Sequence, residues 1–102
     1  MNNVRTVLSE HDIKVARAIL AHLWDLKVQR INRTAHTVWA TVSGTPTSNH
    51  NVAARKGWYV LPVGHGGALM AHDNWPGARL DINYNYQVKG HAVQVSIYRV
   101  NQ

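Results

Sequence analysis

From Leu80 onward apolar residues take alternate positions, at Leu80, Ile82, Tyr84, Tyr86 and Val88, and after Lys89-Gly90 they alternate again at Val93, Val95 and Ile97. A period of two fits a strand with one buried face, and two such runs joined by two turn residues fit a β-hairpin. A two-residue turn at Lys89-Gly90 pairs Val88 with His91, Tyr86 with Val93, Tyr84 with Val95 and Ile82 with Ile97. The apolar side chains of both strands then share one face, whereas a one-residue slip would turn one strand's apolar set to solvent. The other face carries Asp81, Asn83, Asn85, Gln87, Gln94 and Ser96, and is polar yet nearly uncharged.

Toward the amino terminus the period is helical. Ser9 can cap the first free amides, and Glu10 and Asp12 complement the positive helix end. Ile13, Ala16, Ile19, Leu20, Leu23 and Trp24 fall on one stripe, with Lys14, Arg17, Ala21 and Asp25 facing away, which predicts one amphipathic helix over residues 9–26. A short lead-in strand over Val4 to Leu8 precedes it, and Val28 to Asn32 reads as a further strand or an extended arm.

The period then returns to two. His36, Val38, Ala40 and Val42 alternate with Thr37, Trp39, Thr41 and Ser43 as a half-buried strand, which ends at the turn formers Gly44-Thr45-Pro46-Thr47-Ser48-Asn49. Trp58 to Val63 reads as another strand, placed near an edge or a strand end by Pro62, which has no amide hydrogen to donate. The whole is one α+β domain over 1–102, with the helix packed on an antiparallel sheet of about four strands as a two-layer sandwich. The longest apolar runs are far shorter than the ~20 residues of a membrane span, and Glu10, His11 and Asp12 interrupt any leader pattern, so the expectation is a soluble cytoplasmic domain. With no cysteine, thiolate and disulfide chemistry are excluded.

Eleven Lys and Arg face five Asp and Glu, and no acid occurs between Leu26 and His72. The unopposed cations Lys27, Arg30, Arg33, Arg55 and Lys56 therefore concentrate positive potential in the central segment. Arg30, Arg33, Arg55 and Lys56 could neutralise phosphates while Trp39, Trp58 or Tyr59 stacks on unpaired bases. Trp58 and Tyr59 must point to opposite faces if both are in a strand. Ordinary solubility and a core aromatic explain the same residues more simply. No second helix follows the first across a short turn, so single strands or structured RNA suit this chain better than a DNA groove. The leading expectation is a small nucleic-acid-binding protein, with no catalysis assumed and the question of an enzymatic activity left open.

Residues 64–78, with four glycines, His65 and His72, show no clear period and are long for a connection. They read either as a functional loop, whose histidines transfer protons near neutral pH, or as a tethered loop plugged in by Leu69, Met70 and Trp75. Metal ligation would need His65, His72 and Asp73 to converge, and no close histidine pair supports it, so neither metal nor cofactor is expected. One alternative is a metal-independent ribonuclease, with His65 and His72 as proton carriers and Arg55, Lys56, Arg79 and Arg99 stabilising charge. A helix followed by antiparallel strands ending in Tyr98-Arg99 resembles compact ribonuclease toxins in element order, without a shared motif and with a long glycine loop they lack. A second alternative is a non-enzymatic inhibitor or accessory protein of a phage or mobile element, docking a protein or nucleoprotein partner on the Asn/Gln face of the final hairpin.

Overall fold

The computed structural model describes residues 5–62, 69–84 and 92–101. Helix α1 covers Glu10–Trp24, and its start is set by a capping box: Asp12 N–H donates to Ser9 Oγ at 3.0 Å and Ser9 N–H donates to Asp12 Oδ2 at 3.2 Å. It ends at Asp25, whose φ of 51° is a left-handed conformation that Asp tolerates better than most residues. Of the predicted stripe, Ile13, Ala16, Ile19, Leu20 and Leu23 are buried, and Trp24 is half-buried against the core.

Strand β1 (Asn32–Arg33) and strand β2 (Thr37–Ser43) form a hairpin after a 3-10 turn at Val28–Arg30. The Val28 to Asn32 segment is thus mostly this turn rather than a strand. His36 lies outside β2 and is exposed, while Val38, Ala40 and Val42 are buried as their alternation predicts. The Val4 to Leu8 lead-in contributes, among its described residues, a single bridge of Arg5 to Val100.

Residues 44–49 are not only a turn. Thr45 caps a second helix, α2, over Pro46–Ala54, in which Thr45 Oγ1 accepts from Ser48 N–H at 3.1 Å and Pro46 occupies the first turn, where its missing amide hydrogen is not needed. The chain then runs through β3 (Tyr59–Val60), β4 (Leu69–Ala71), β5 (Ala78–Tyr84) and β6 (Ala92–Arg99). The expected long strand from Trp58 is a two-residue edge strand, and the 64–78 connection contains β4. Six described strands form one antiparallel sheet in the order β1-β2-β6-β5-β4-β3, in place of about four, and two helices stand in place of one.

The final hairpin pairs Leu80 with Ile97, Ile82 with Val95 and Tyr84 with Val93. This register is two residues away from the one predicted from a turn at Lys89-Gly90, which itself lies outside the described residues. A shift of two leaves each side chain on its face, so the apolar sets still coincide. Both helices pack on that face: Leu20, Val38, Leu80, Val93 and Val95 are fully buried between the layers, and α2 adds Ala53. The opposite face of the sheet carries neither helix. No described helix is long and apolar enough to cross a membrane.

Candidate functional site

Strand pairing fixes which side chains share the helix-free face. Thr37, Tyr98 and Arg79 lie in one row, and Asn32, Trp39, Ser96 and Asp81 in the next. Thr41, Gln94 and Asn83 form a third row. On β4 and β3 the same face presents Leu69, opposite Asp81, and Tyr59, opposite Ala71. A hollow of ≈ 440 Å³ opens here between Arg5, Trp39, Asp81 and Asn83, floored by Ser96 and Thr37.

Arg5 belongs to this face although no periodicity points to it. Its guanidinium lies 4.0 Å from the centre of the Tyr98 ring, and its Nη1 donates to Thr37 Oγ1 at 3.0 Å. A cation over an aromatic face is drawn to the ring's negative quadrupole, and one planar fork meets both partners. Burial pushes the Tyr98 phenol above its ordinary value, with the positive charge of Arg5 opposing. Neighbouring polar groups are also ordered: Asn83 Nδ2 donates to Asp81 Oδ1 at 2.7 Å and Gln94 Nε2 donates to Ser96 Oγ at 3.3 Å.

The sequence-predicted residues are dispersed around this face rather than gathered at one point. Trp39, half-buried, stands in its second row, and Tyr59 is 47% exposed on edge strand β3. Trp58 is 3% exposed and packs into the core, so it presents no ring for stacking. Arg55 and Lys56 are exposed at the carboxy-terminal end of α2, close in chain to Tyr59. Arg30 and Arg33 are exposed at the other sheet edge, where Arg33, opposite Val38, points to the helix side and borders a hollow with Lys14 and Arg17.

His72 is held in place by its surroundings. Asn74 N–H donates to its Nδ1 at 3.1 Å, which leaves the proton on Nε2 to donate to the Lys56 carbonyl at 2.8 Å. Its ring meets Trp58 edge-on at 5.2 Å and Trp75 at 4.7 Å, and the two indoles stack at 5.9 Å with a 12° angle between planes. Both nitrogens thus serve the backbone. Arg99 Nη1 lies 3.4 Å from Asp12 Oδ1 at the start of α1, and its residue is exposed. The hydrogen bonds of His72 run to Lys56 and Asn74 and that of Arg99 to Asp12, and His65 lies outside the described residues. Met70 is buried and Trp75 packs against the core, as expected of a loop held by its apolar residues. Among the described residues no group of three or more His, Asp or Glu is placed to hold a metal ion.

Comparison with protein-family models, with curated proteins and with solved structures finds no match to this chain.

Proposed function

We propose that the protein binds single-stranded nucleic acid across the helix-free face of its sheet. The observation that carries this reading is the placement of cations at both margins of a polar face with aromatic rings on it. Lys27 and Arg30 lie beside the β1 edge, Arg55 and Lys56 just before β3 at the other, all exposed, while Arg33 in β1 points to the helix side. Six strands at the usual ~4.8 Å spacing set these margins about 24 Å apart. That span suits a strand on the order of four nucleotides, the short end of known single-strand sites.

Between the margins the face offers what bases use. Trp39 and Tyr59 supply rings for stacking, which is sequence-tolerant because every base has a π-face. Asn83 and Gln94 supply amides that can donate and accept, and Arg5 adds a cation near the centre. Asp81 repels phosphate from the middle of the sheet, which favours bases there and the backbone at the cationic edges. An α-helix for groove reading is not exposed beside this face, so duplex DNA is the poorer ligand.

Fluorescence anisotropy with labelled single-stranded DNA, RNA and duplex oligonucleotides over a salt series tests the reading. Single strands bind, log K falls linearly with log salt, and the double variant Arg55→Gln/Lys56→Gln lowers that slope by about 1.4, at ~0.7 per phosphate contact. Trp39→Ala weakens binding by about 1–3 kcal/mol without changing the slope. Undetectable binding at low salt, or full affinity in Trp39→Ala, overturns the proposal.

A further inference from the structure

We infer that the cleft between α1 and residues 72–75 is a binding site for a small, flat, apolar molecule carrying one anionic group. This site is on the helix side of the sheet and goes beyond the nucleic-acid reading, whose face is on the other side. The cleft has a volume of ≈ 450 Å³, within the range of small-molecule sites. Val15, Ala18, Ile19 and Leu23 of α1 make one wall, and the half-buried indole of Trp75, backed by the core residue Trp58, contributes the other.

The aromatic wall is built in advance. Trp58 and Trp75 are stacked, and His72 wedges against both while its two ring nitrogens are tied to the backbone at Lys56 and Asn74. A pre-built slot with one aromatic side and one aliphatic side favours a flat ring system, because little side-chain freedom is lost when it enters. Gly57 reinforces the arrangement: a Cβ there would lie 2.7 Å from His72 Nε2, so the close approach of the chain to the imidazole requires glycine.

Charge complementarity selects the ligand's sign. Lys56 and His22 line the cleft, and none of its described lining residues is acidic. A lysine at the margin of an apolar slot favours an anion whose body is buried and whose charged group is within reach of the lysine side chain, and Asn74 also lines the cleft. The ligand class is therefore an aromatic or fused-ring carboxylate, sulfonate or phosphate monoester.

Two dyes that differ in one group separate the apolar from the ionic contribution: 8-anilinonaphthalene-1-sulfonate and the neutral N-phenyl-1-naphthylamine, each titrated by fluorescence into the whole protein. The sulfonate binds saturably with one site. Ala18→Trp, on an exposed position of α1, fills the slot and weakens both dyes at least tenfold, with an unchanged near-ultraviolet circular dichroism baseline outside the added indole band. If that variant does not fold, His22→Trp serves in its place, since His22 is also exposed and lines the cleft. Lys56→Gln weakens the sulfonate several-fold and leaves the neutral dye unchanged. Absent saturable binding, full affinity in the folded slot-filling variant, or equal loss of both dyes in Lys56→Gln overturns the inference. Lys56 serves in both readings, but failure of oligonucleotide binding leaves this one untouched, because neither dye is a nucleic acid and the slot that Ala18→Trp fills is on the helix side of the sheet.

Discussion

Trp24 Nε1 donates a 2.7 Å hydrogen bond to Asn49 Oδ1, which joins the last turn of α1 to the first turns of α2. Asn49 is 4% exposed, and its Nδ2 donates to the Ser43 carbonyl at 3.0 Å and the Thr45 carbonyl at 2.9 Å. One buried amide thus ties β2, the helix cap and the other helix together, with each of its polar atoms used.

Asn49→Ala should therefore destabilise the fold by about 2–3 kcal/mol, since an indole N–H and two carbonyls lose a partner in a place water reaches poorly. Asn49→Asp should lose more, because a carboxylate can accept from Trp24 but faces the two carbonyls with no hydrogen to give them. Urea unfolding with a constant m-value measures both, and a loss below about 0.5 kcal/mol for Asn49→Ala would show that the amide is incidental.

His50, the next residue, gives the stability a pH dependence. Burial holds its imidazole below the ordinary value of 6.5, with the negative charge of Asp81 opposing, and its Nε2 is buried without a hydrogen-bond partner among the described residues. With the folded value below the unfolded one, the unfolded chain takes up the proton first as pH falls. The contribution is fully present above about pH 6.5 and is lost as the solution is acidified from there through the folded-state value. Melting temperatures from pH 8 to 5 should fall over this window in the native protein and fall less in His50→Gln. An identical decline in that variant would assign the effect to other groups.

Legibility followed length and periodicity. The stripe of α1 and the alternation in β2, β5 and β6 were readable because each element repeats its pattern several times. Strands β1, β3 and β4 have two or three residues, too few for any period, and pairing with their neighbours defines them. Helix α2 has no apolar stripe to announce it. It is held by Ala53 and by the hydrogen bonds of Asn49, and its sequence signal was the Thr45-Pro46 start with Ser48 three residues after the cap, which resembles a turn when each residue is weighed singly. On the candidate interface, Trp39 and Tyr59 were identified by residue type, but Trp58 is a core residue. Arg5 escaped because its position over Tyr98 depends on a chain segment brought back from the other end of the sequence.

Gly57 and His72 should couple. Gly57 has a φ of +95°, so a side chain there is strained by the backbone as well as by the imidazole 2.7 Å from its Cβ. Gly57→Ala should cost more than about 1 kcal/mol. His72→Ala alone should cost on the order of 1–2 kcal/mol through the lost hydrogen bond to Lys56 and the lost edge contact with Trp58. The double variant removes the clash and keeps the backbone strain, so its loss should fall short of the sum by at least 0.5 kcal/mol, the lower end of coupling for residues in contact. Strict additivity in chemical denaturation would mean that the two residues are independent.

At the start of α1, Ser9 and Arg99 should separate a strong local contact from a weak ionic one. Ser9 Oγ accepts the Asp12 amide hydrogen at 3.0 Å, and a lost cap of this kind costs about 1 kcal/mol. Arg99 reaches the same Asp12 from the end of β6 at 3.4 Å, but its side chain is 49% exposed. Solvent screens such a pair, so its removal should cost well under 1 kcal/mol. Ser9→Ala should thus lower the melting temperature clearly at every salt concentration, whereas Arg99→Ala should lower it slightly in dilute buffer and not measurably at 1 M salt, where the Debye length is about 3 Å. A salt-independent loss in Arg99→Ala as large as that of Ser9→Ala would instead place the value of Arg99 in the packing of its aliphatic stem beside Gly77, whose position 3.7 Å from Arg99 Cγ, measured to a notional Cβ, shows how closely the two approach.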